Sequence, residues 1–133
     1  MTSTIVPIHL RWSDMDVFHH INNVAYATYM EMARTVLLES NGFTAVNDEI
    51  GHMVVRNEID YVWQLEYRPE PVDIEIWIES VGRTSYVIAY EMRDADQVYM
   101  RAKTTMVCMD MKRNRPGRLP DEMRELLESL SRD

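Results

Sequence analysis

The chain has 133 residues, of which 46% are hydrophobic and 27% charged, and its formal net charge at pH 7 is −8. These values indicate one globular domain over residues 1–133, and the negative charge argues against nucleic-acid binding because no positive field would attract phosphate. The single cysteine excludes an internal disulfide and suits a reducing compartment. The chain contains no apolar run long enough for a membrane span and no secretory signal pattern. A soluble, cytoplasmic protein without a membrane partner is therefore expected.

The first predicted elements are a strand and a long helix. Residues 4–12 alternate between apolar and polar side chains, which is typical of a half-buried strand. From Val24 to Leu38 almost every side chain is apolar, which is typical of a helix buried on all sides. Gly42 suits the left-handed position that ends such a helix.

The rest of the chain alternates again and then ends in a helix. Four strands are predicted within residues 53–63, 72–79, 85–93 and 98–110. Their short links indicate an antiparallel meander, and Pro120 opens the last helix. The expected fold class is α+β, with the apolar face of one sheet wrapped around one long helix.

A polar segment lies between the first strand and the long helix. It holds two carboxylates, two imidazoles and two carboxamides: Asp14, Asp16, His19, His20, Asn22 and Asn23. Such groups pack poorly before a buried helix, but they suit an active site because the first amides of a helix lack partners within the helix. Asn22 or Asn23 could also cap the helix. Asp14 is interpreted as a structural residue that bonds loop amides in an Asx turn.

The element order, together with the pattern D-M-D-x-x-x-H-x-N-N-x-x-Y-x-x-Y-x-E-x-A-R over residues 14–34, strongly resembles the hotdog-fold acyl-CoA thioesterases. Within these enzymes the chain is most similar to the 4-hydroxybenzoyl-CoA thioesterase-like group. Residues 82–86 and 115–122 also resemble that group. One departure is His19, because the family usually has glycine there and glycine takes positive φ freely.

The resemblance implies a five-stranded antiparallel sheet around a central helix, with an additional C-terminal helix. It implies hydrolysis of an acyl-CoA thioester, with Asp16 as nucleophile or general base and helix N-terminal amides as the oxyanion hole. No cofactor is expected, since coenzyme A is part of the substrate. The resemblance also implies a homo-oligomer, dimer or tetramer, with active sites at the subunit interfaces.

Several other site residues have both a functional and a structural interpretation. His20 could orient Asp16 or a water molecule, or it could brace the loop. Asn23 could act in the site or cap the helix, and Tyr26 is expected to contact substrate. Ser85 could lie near the thioester or simply follow a turn.

The cations Arg68, Arg113 and Arg115 could hold the phosphates of coenzyme A, although a solvated turn would also explain the last two. Glu31 is interpreted as a buried or interface ion-pair partner, with Arg34 as the candidate cation. Cys108 is interpreted as a buried apolar residue.

Three alternatives remain beside hydrolysis with Asp16. The polar segment could bind a divalent metal, although adjacent histidines rarely reach one ion together. Asp14 and His19 have the spacing of a hotdog enoyl-CoA hydratase motif, but Asp16 stands where asparagine is expected. The protein could also bind an acyl-CoA or acyl carrier without turnover.

Overall fold

The structure is a computed structural model that describes residues 3–43 and 49–132. Its helices and strands, in chain order, are β1 Thr4–Ile8, a 3-10 turn Trp12–Asp14, α1 Ala25–Ser40, β2 Ile50–Tyr61, β3 Val72–Val81, β4 Ser85–Arg93, β5 Val98–Asp110, β6 Arg115–Pro116 and α2 Asp121–Ser129.

The five long strands form one antiparallel sheet in the order β1-β3-β4-β5-β2, and the two-residue β6 pairs with β5. The predicted meander is confirmed for β3, β4 and β5. It is wrong for β2, which lies beside β5 at the far edge of the sheet. Because β3 pairs with β1 at the other side, the link over residues 62–71 crosses from one edge region of the sheet to the other. Strand β2 is therefore an edge strand.

The core lies between one face of this sheet and one side of α1. Alternate residues of β3 and β4, such as Ile76 and Ile88, are fully buried and meet the helix side that carries Met30 and Leu37. Burial of each such side chain contributes about 1.5–3 kcal/mol of transfer free energy. The opposite face of the sheet carries charged residues.

Helix α1 differs from its prediction in one respect. The apolar pattern indicated burial on all sides, but Val24, Met32 and Val36 lie on an exposed side of the helix. The prediction was wrong for a single copy of the chain because its own sheet covers only one side of α1. Gly42 has φ +87°, which confirms the predicted left-handed residue after the helix.

The C-terminal segment fastens the end of β3. Met123 and Leu127 of α2 are buried, and the backbone N–H of Ile78 donates to the carbonyl of Leu130 at 3.0 Å. Within the described ranges, no helix has the length and hydrophobicity needed to cross a membrane.

Candidate active site

The polar segment folds back on itself as a tight loop before α1. Met15 and Ile21 form an antiparallel bridge. Inside it, the N–H of Asp16 donates to the carbonyl of His20, and the N–H of His19 donates to the carbonyl of Asp16, both at 3.0 Å. His19 has φ +63°. The chain therefore reverses at the position where the related family usually has glycine.

Asp14 anchors this loop to the core. Its carboxylate is buried, accepts from the Tyr29 hydroxyl at 2.6 Å and forms an ion pair with the Arg11 guanidinium at 2.8 Å. Burial favours a higher pKa for Asp14, but the hydrogen bonds from Arg11 and Tyr29 outweigh it and lower the pKa below the ordinary value. The predicted structural role fits this geometry. The predicted Asx turn does not, because the carboxylate binds two side chains instead.

Asp16 makes the Asx turn itself and keeps one oxygen available. Its Oδ1 accepts from the N–H of Phe18 at 2.9 Å. No described residue donates to Oδ2. The carboxylate is half-buried at a cleft of about 410 Å³ before the N-terminus of α1. A carboxylate held by one oxygen, with the second facing a cleft, suits nucleophilic or general-base chemistry.

The cleft has one wall from α1 and one from the end of β2. Tyr26 of the helix packs edge-on against Tyr61, with 5.3 Å between ring centroids. The Tyr61 hydroxyl donates to the carbonyl of Asn23 at 3.2 Å. Burial raises the pKa of Tyr26 to about 12, so its hydroxyl stays protonated at neutral pH.

Three predicted site residues meet Asp16 in this cleft, namely His20, Asn23 and Tyr26. Asn22 lies before the helix, and its Oδ1 accepts from the N–H of Val24 at 3.1 Å. The N-cap residue of α1 is Val24, and no described side chain caps the helix. The side chain of Asn23 makes no such bond, and its backbone N–H has no hydrogen-bond partner in the described part of the chain. Asn23 is therefore available to a ligand in the cleft.

The sequence prediction missed the second wall of the cleft, which is formed by Tyr61, Val62, Trp63, Gln64 and Leu65. These residues follow β2 and are joined to the loop by the bond from the N–H of Ile21 to the carbonyl of Leu65 at 2.7 Å. Local sequence patterns carry no signal for a contact between segments so far apart in the chain. Trp63 in this wall is 60% exposed.

Ser85, Arg113 and Arg115 lie away from this cleft within one copy of the chain. Ser85 begins β4 opposite Val107, and both arginines belong to the turn and short strand that follow β5. Tyr61, which marks the cleft, is at the opposite end of β2 and β5. Their predicted contacts with substrate therefore require a second copy.

Arg68 is occupied by another carboxylate. Its guanidinium donates to both oxygens of Asp94, at 2.6 and 2.8 Å, and to the carbonyl of Pro71 at 3.0 Å. These bonds tie the 62–71 link to the turn between β4 and β5. The side chain has little donor capacity left for a phosphate.

Glu31 and Cys108 have surroundings that fit structural roles. Glu31 is exposed, and its Oε2 lies 3.9 Å from Nη2 of Arg34, so its predicted ion pair is long. Cys108 is buried, and burial raises the pKa of its thiol, which disfavours a nucleophilic thiolate.

Among the described residues, no group of three or more His, Cys, Asp or Glu side chains is arranged to hold a metal. Asp14 is engaged by Arg11 and Tyr29, which disfavours the hydratase interpretation.

Comparison with known proteins identifies the family of this chain. Residues 10–127 match the model of the thioesterase-like superfamily. The chain is 33% identical to the long-chain acyl-CoA thioesterase FadM of Escherichia coli strain K12, over 92% of this chain and 96% of that protein.

Two solved structures share the fold. A protein of Bacillus stearothermophilus described as a predicted thioesterase has a TM-score of 0.81 at 26% identity, covering 98% of this chain and 96% of that chain. The DHNA-CoA thioesterase of Staphylococcus aureus has a TM-score of 0.86 at 24% identity, covering 97% and 91%, and this likeness concerns the fold alone. The match to the family model over most of the chain, with the hotdog arrangement of sheet and helix, leads to one conclusion: this chain belongs to the thioesterase-like superfamily.

Proposed function

We propose that the protein hydrolyses acyl-CoA thioesters, with the carboxylate of Asp16 as nucleophile or general base. The observation that carries the proposal is the half-buried Asp16, which faces the cleft before α1 with one oxygen free of described donors. The 33% identity to a long-chain acyl-CoA thioesterase supports acyl-CoA as the substrate class.

In this mechanism the thioester carbonyl lies between Asp16 and the start of α1. Asp16 attacks the carbonyl carbon or removes a proton from an attacking water, and the carbonyl oxygen becomes negative. In this proposal the N–H of Asn23, which has no partner in the described part of the chain, and the positive end of the helix dipole stabilise that charge. Collapse of the intermediate breaks the carbon–sulfur bond and releases coenzyme A as a thiolate, which takes up a proton. When water attacks, the acyl group leaves directly as the carboxylic acid; when Asp16 attacks, it remains on Asp16 as an anhydride until a water molecule hydrolyses it. No cofactor is required.

The test is the rate of hydrolysis over a panel of acyl-CoA substrates for Asp16→Ala and Asp16→Asn. We expect kcat/KM to fall about 10²–10⁴-fold, the usual contribution of a positioned acid–base group. Asp96→Asn is the matched control, because Asp96 is exposed in the turn between β4 and β5. Wild-type kcat/KM in the Asp16 variants would contradict the proposal, and binding without turnover by the wild type would favour a non-catalytic acyl-CoA binder.

We infer further that the protein is a homodimer paired through β2. Among the strands of the described residues, β2 pairs with β5 alone, and along its middle it exposes Met53, Val54 and Val55. Exposed edges of this kind pair with other strands unless they are blocked. Pairing with a second copy would satisfy the backbone groups and cover the apolar side chains.

The charge pattern of the outer sheet face supports a dimer rather than a tetramer built on that face. Lys103 pairs with Glu79 at 2.8 Å, and Arg101 pairs with Glu91 at 2.9 Å. Burial of these solvated ion pairs would cost desolvation energy that their attraction does not fully return. The antiparallel dimer also brings the sheet end that carries Ser85, Arg113 and Arg115 of one copy towards the cleft of the other.

A further inference from the structure

His52 is a titratable residue on the edge strand that the single-copy site does not use. Its ring packs edge-on against Tyr86, and its Nδ1 lies 3.1 Å from the Tyr86 hydroxyl. Tyr86 is buried, and Nδ1 is the only hydrogen-bond partner of its hydroxyl in the described part of the chain. A phenolic hydroxyl is a stronger donor than acceptor, and the unprotonated nitrogen of a neutral imidazole is a good acceptor, so we assign Tyr86 as the donor and Nδ1 as the acceptor.

This assignment determines the state of the other ring nitrogen. When Nδ1 accepts, the neutral ring carries its proton on Nε2, which makes Nε2–H a donor. Burial lowers the pKa of His52, which favours the neutral ring. No described residue accepts from Nε2. His52 is thus a fixed ring with an unused donor at the exposed sheet edge.

The register of β2 determines where this donor lies in the dimer. Before the irregularity at Val55, His52 and Val54 pair with the buried Cys108 and Met106, so they face α1. After it, the residues facing α1 have odd numbers: Asn57, Ile59 and Tyr61. The irregularity therefore shifts the alternation of the strand by one residue at its middle.

This shift makes β2 complementary to itself. When Ile50–Tyr61 pairs antiparallel with its own copy over the full length, Ile50 lies opposite Tyr61 and His52 lies opposite Ile59. In a regular strand that pairing would set residues of one sheet face against residues of the other face, because successive side chains alternate. With the irregularity at Val55, the residues that face α1 lie opposite one another, namely Ile50 and Tyr61, His52 and Ile59, and Val54 and Asn57.

In that register His52 of the partner subunit is the diagonal neighbour of Tyr61. Diagonal neighbours in an antiparallel pair are about 7–8 Å apart, within reach of aromatic side chains. Tyr61 lines the cleft that contains Asp16. We propose that the partner's His52, held by the partner's Tyr86, completes the active site and donates a hydrogen bond from Nε2–H to the bound thioester substrate. This inference rests on the proposed acyl-CoA thioesterase function.

The first test uses single variants of the whole protein. His52→Phe keeps an aromatic ring against Tyr86 but removes the donor, and we expect kcat/KM to fall about 10- to 100-fold. His52→Gln keeps an N–H donor and should retain more activity than His52→Phe. His9→Phe is the matched control, because His9 is exposed after β1. Wild-type activity in a folded, dimeric His52→Phe would overturn the inference.

The second test asks which copy supplies the histidine. Asp16→Ala and His52→Phe chains are co-expressed with different tags, and the mixed dimer is isolated by two affinity steps. If His52 acts on its partner's site, the mixed dimer contains one intact site and should show about half of the wild-type turnover. If His52 acts within its own chain, both sites are defective and the mixed dimer should be as inactive as the two parents.

The two tests separate the inference from the proposed function on which it rests. An active Asp16→Ala dimer would overturn the proposed function and the inference together. An inactive Asp16→Ala dimer with an inactive mixed dimer would leave the function standing and overturn the role of the partner's His52. Restored turnover in the mixed dimer would support both.

Discussion

At the residue scale, His19 occupies a backbone conformation that few side chains tolerate. Its φ of +63° places it in the left-handed region, which costs most non-glycine residues about 1–2 kcal/mol. Two backbone bonds inside the loop maintain the reversal and thereby hold Asp16 at the cleft. The departure from glycine therefore leaves the turn in place, at a cost in backbone strain.

We expect His19→Val to lower the free energy of unfolding by about 1–2 kcal/mol, because a β-branched side chain is strained further at positive φ. His19→Gly is the control and should be neutral or stabilising, since glycine adopts this conformation freely. Urea unfolding at neutral pH measures both changes. Equal stability of the valine and glycine variants would contradict the strained turn.

A second prediction at the residue scale concerns the hydrogen bond between Asp14 and Tyr29. Tyr29→Phe removes the hydroxyl that donates to the buried Asp14 carboxylate, and a lost bond to a charged group costs about 1–3 kcal/mol. Folding lowers the pKa of Asp14, so its ionised form stabilises the protein above the unfolded pKa of 3.8. That contribution is lost as pH falls further.

The destabilisation of Tyr29→Phe should therefore be large at neutral pH and smaller in acid, at a pH below the lowered pKa of Asp14, where this carboxylate is protonated in the folded protein. Urea unfolding at the two pH values gives the comparison. Tyr67→Phe is the matched control, because no described residue hydrogen-bonds the Tyr67 hydroxyl. An equal loss of stability at both pH values would show that the Tyr29 hydroxyl does not stabilise the protein through its bond to the ionised Asp14 carboxylate.

At the element scale, β2 combines two features that usually exclude each other in a monomer. It is an edge strand of 12 residues, and it exposes a run of apolar side chains. Edge strands are normally protected by short length, charge or proline. The irregularity at its centre preserves the match of faces when the strand pairs with its own copy. These features together indicate an interface.

We expect Val55→Lys to convert the dimer into a monomer, because it places two charges near the two-fold axis of the paired strands. Sedimentation velocity measures the change, and acyl-CoA hydrolysis should fall with it if the partner's His52 completes the site. Ile5→Lys is the matched control on the opposite edge strand, where Ile5 is 50% exposed and Val55 is 56% exposed. A Val55→Lys protein that remains dimeric would contradict the β2 interface.

At the scale of the whole molecule, the site combines segments from distant parts of the chain. The loop and the start of α1 provide Asp16 and Asn23, and the segment after β2 provides Tyr61 and Trp63. In the proposed dimer, a third contribution comes from the other end of the partner's β2. This arrangement accounts for the distance between Asp16 and the basic turn at Arg113 within one copy.

The local sequence was sufficient to predict helices and strands and one part of the site. Alternation defined β4 and β5 at their observed bounds, and Gly42 marked the end of α1. The motif around Asp16 identified the loop and three of the residues that line its cleft. These features depend on near neighbours in the chain, and the period of the side-chain pattern reports them directly.

Only the tertiary structure decided the features that depend on contacts between distant segments. The position of β2 beside β5, the wall formed after Tyr61 and the engagement of Arg68 by Asp94 have no local pattern. The exposed side of α1 was misread for the same reason, because an apolar helix is buried only where another surface covers it. The amino-acid sequence by itself determined the loop around Asp16 and the helix that follows it, whereas sheet order and strand register decided which residues share its cleft.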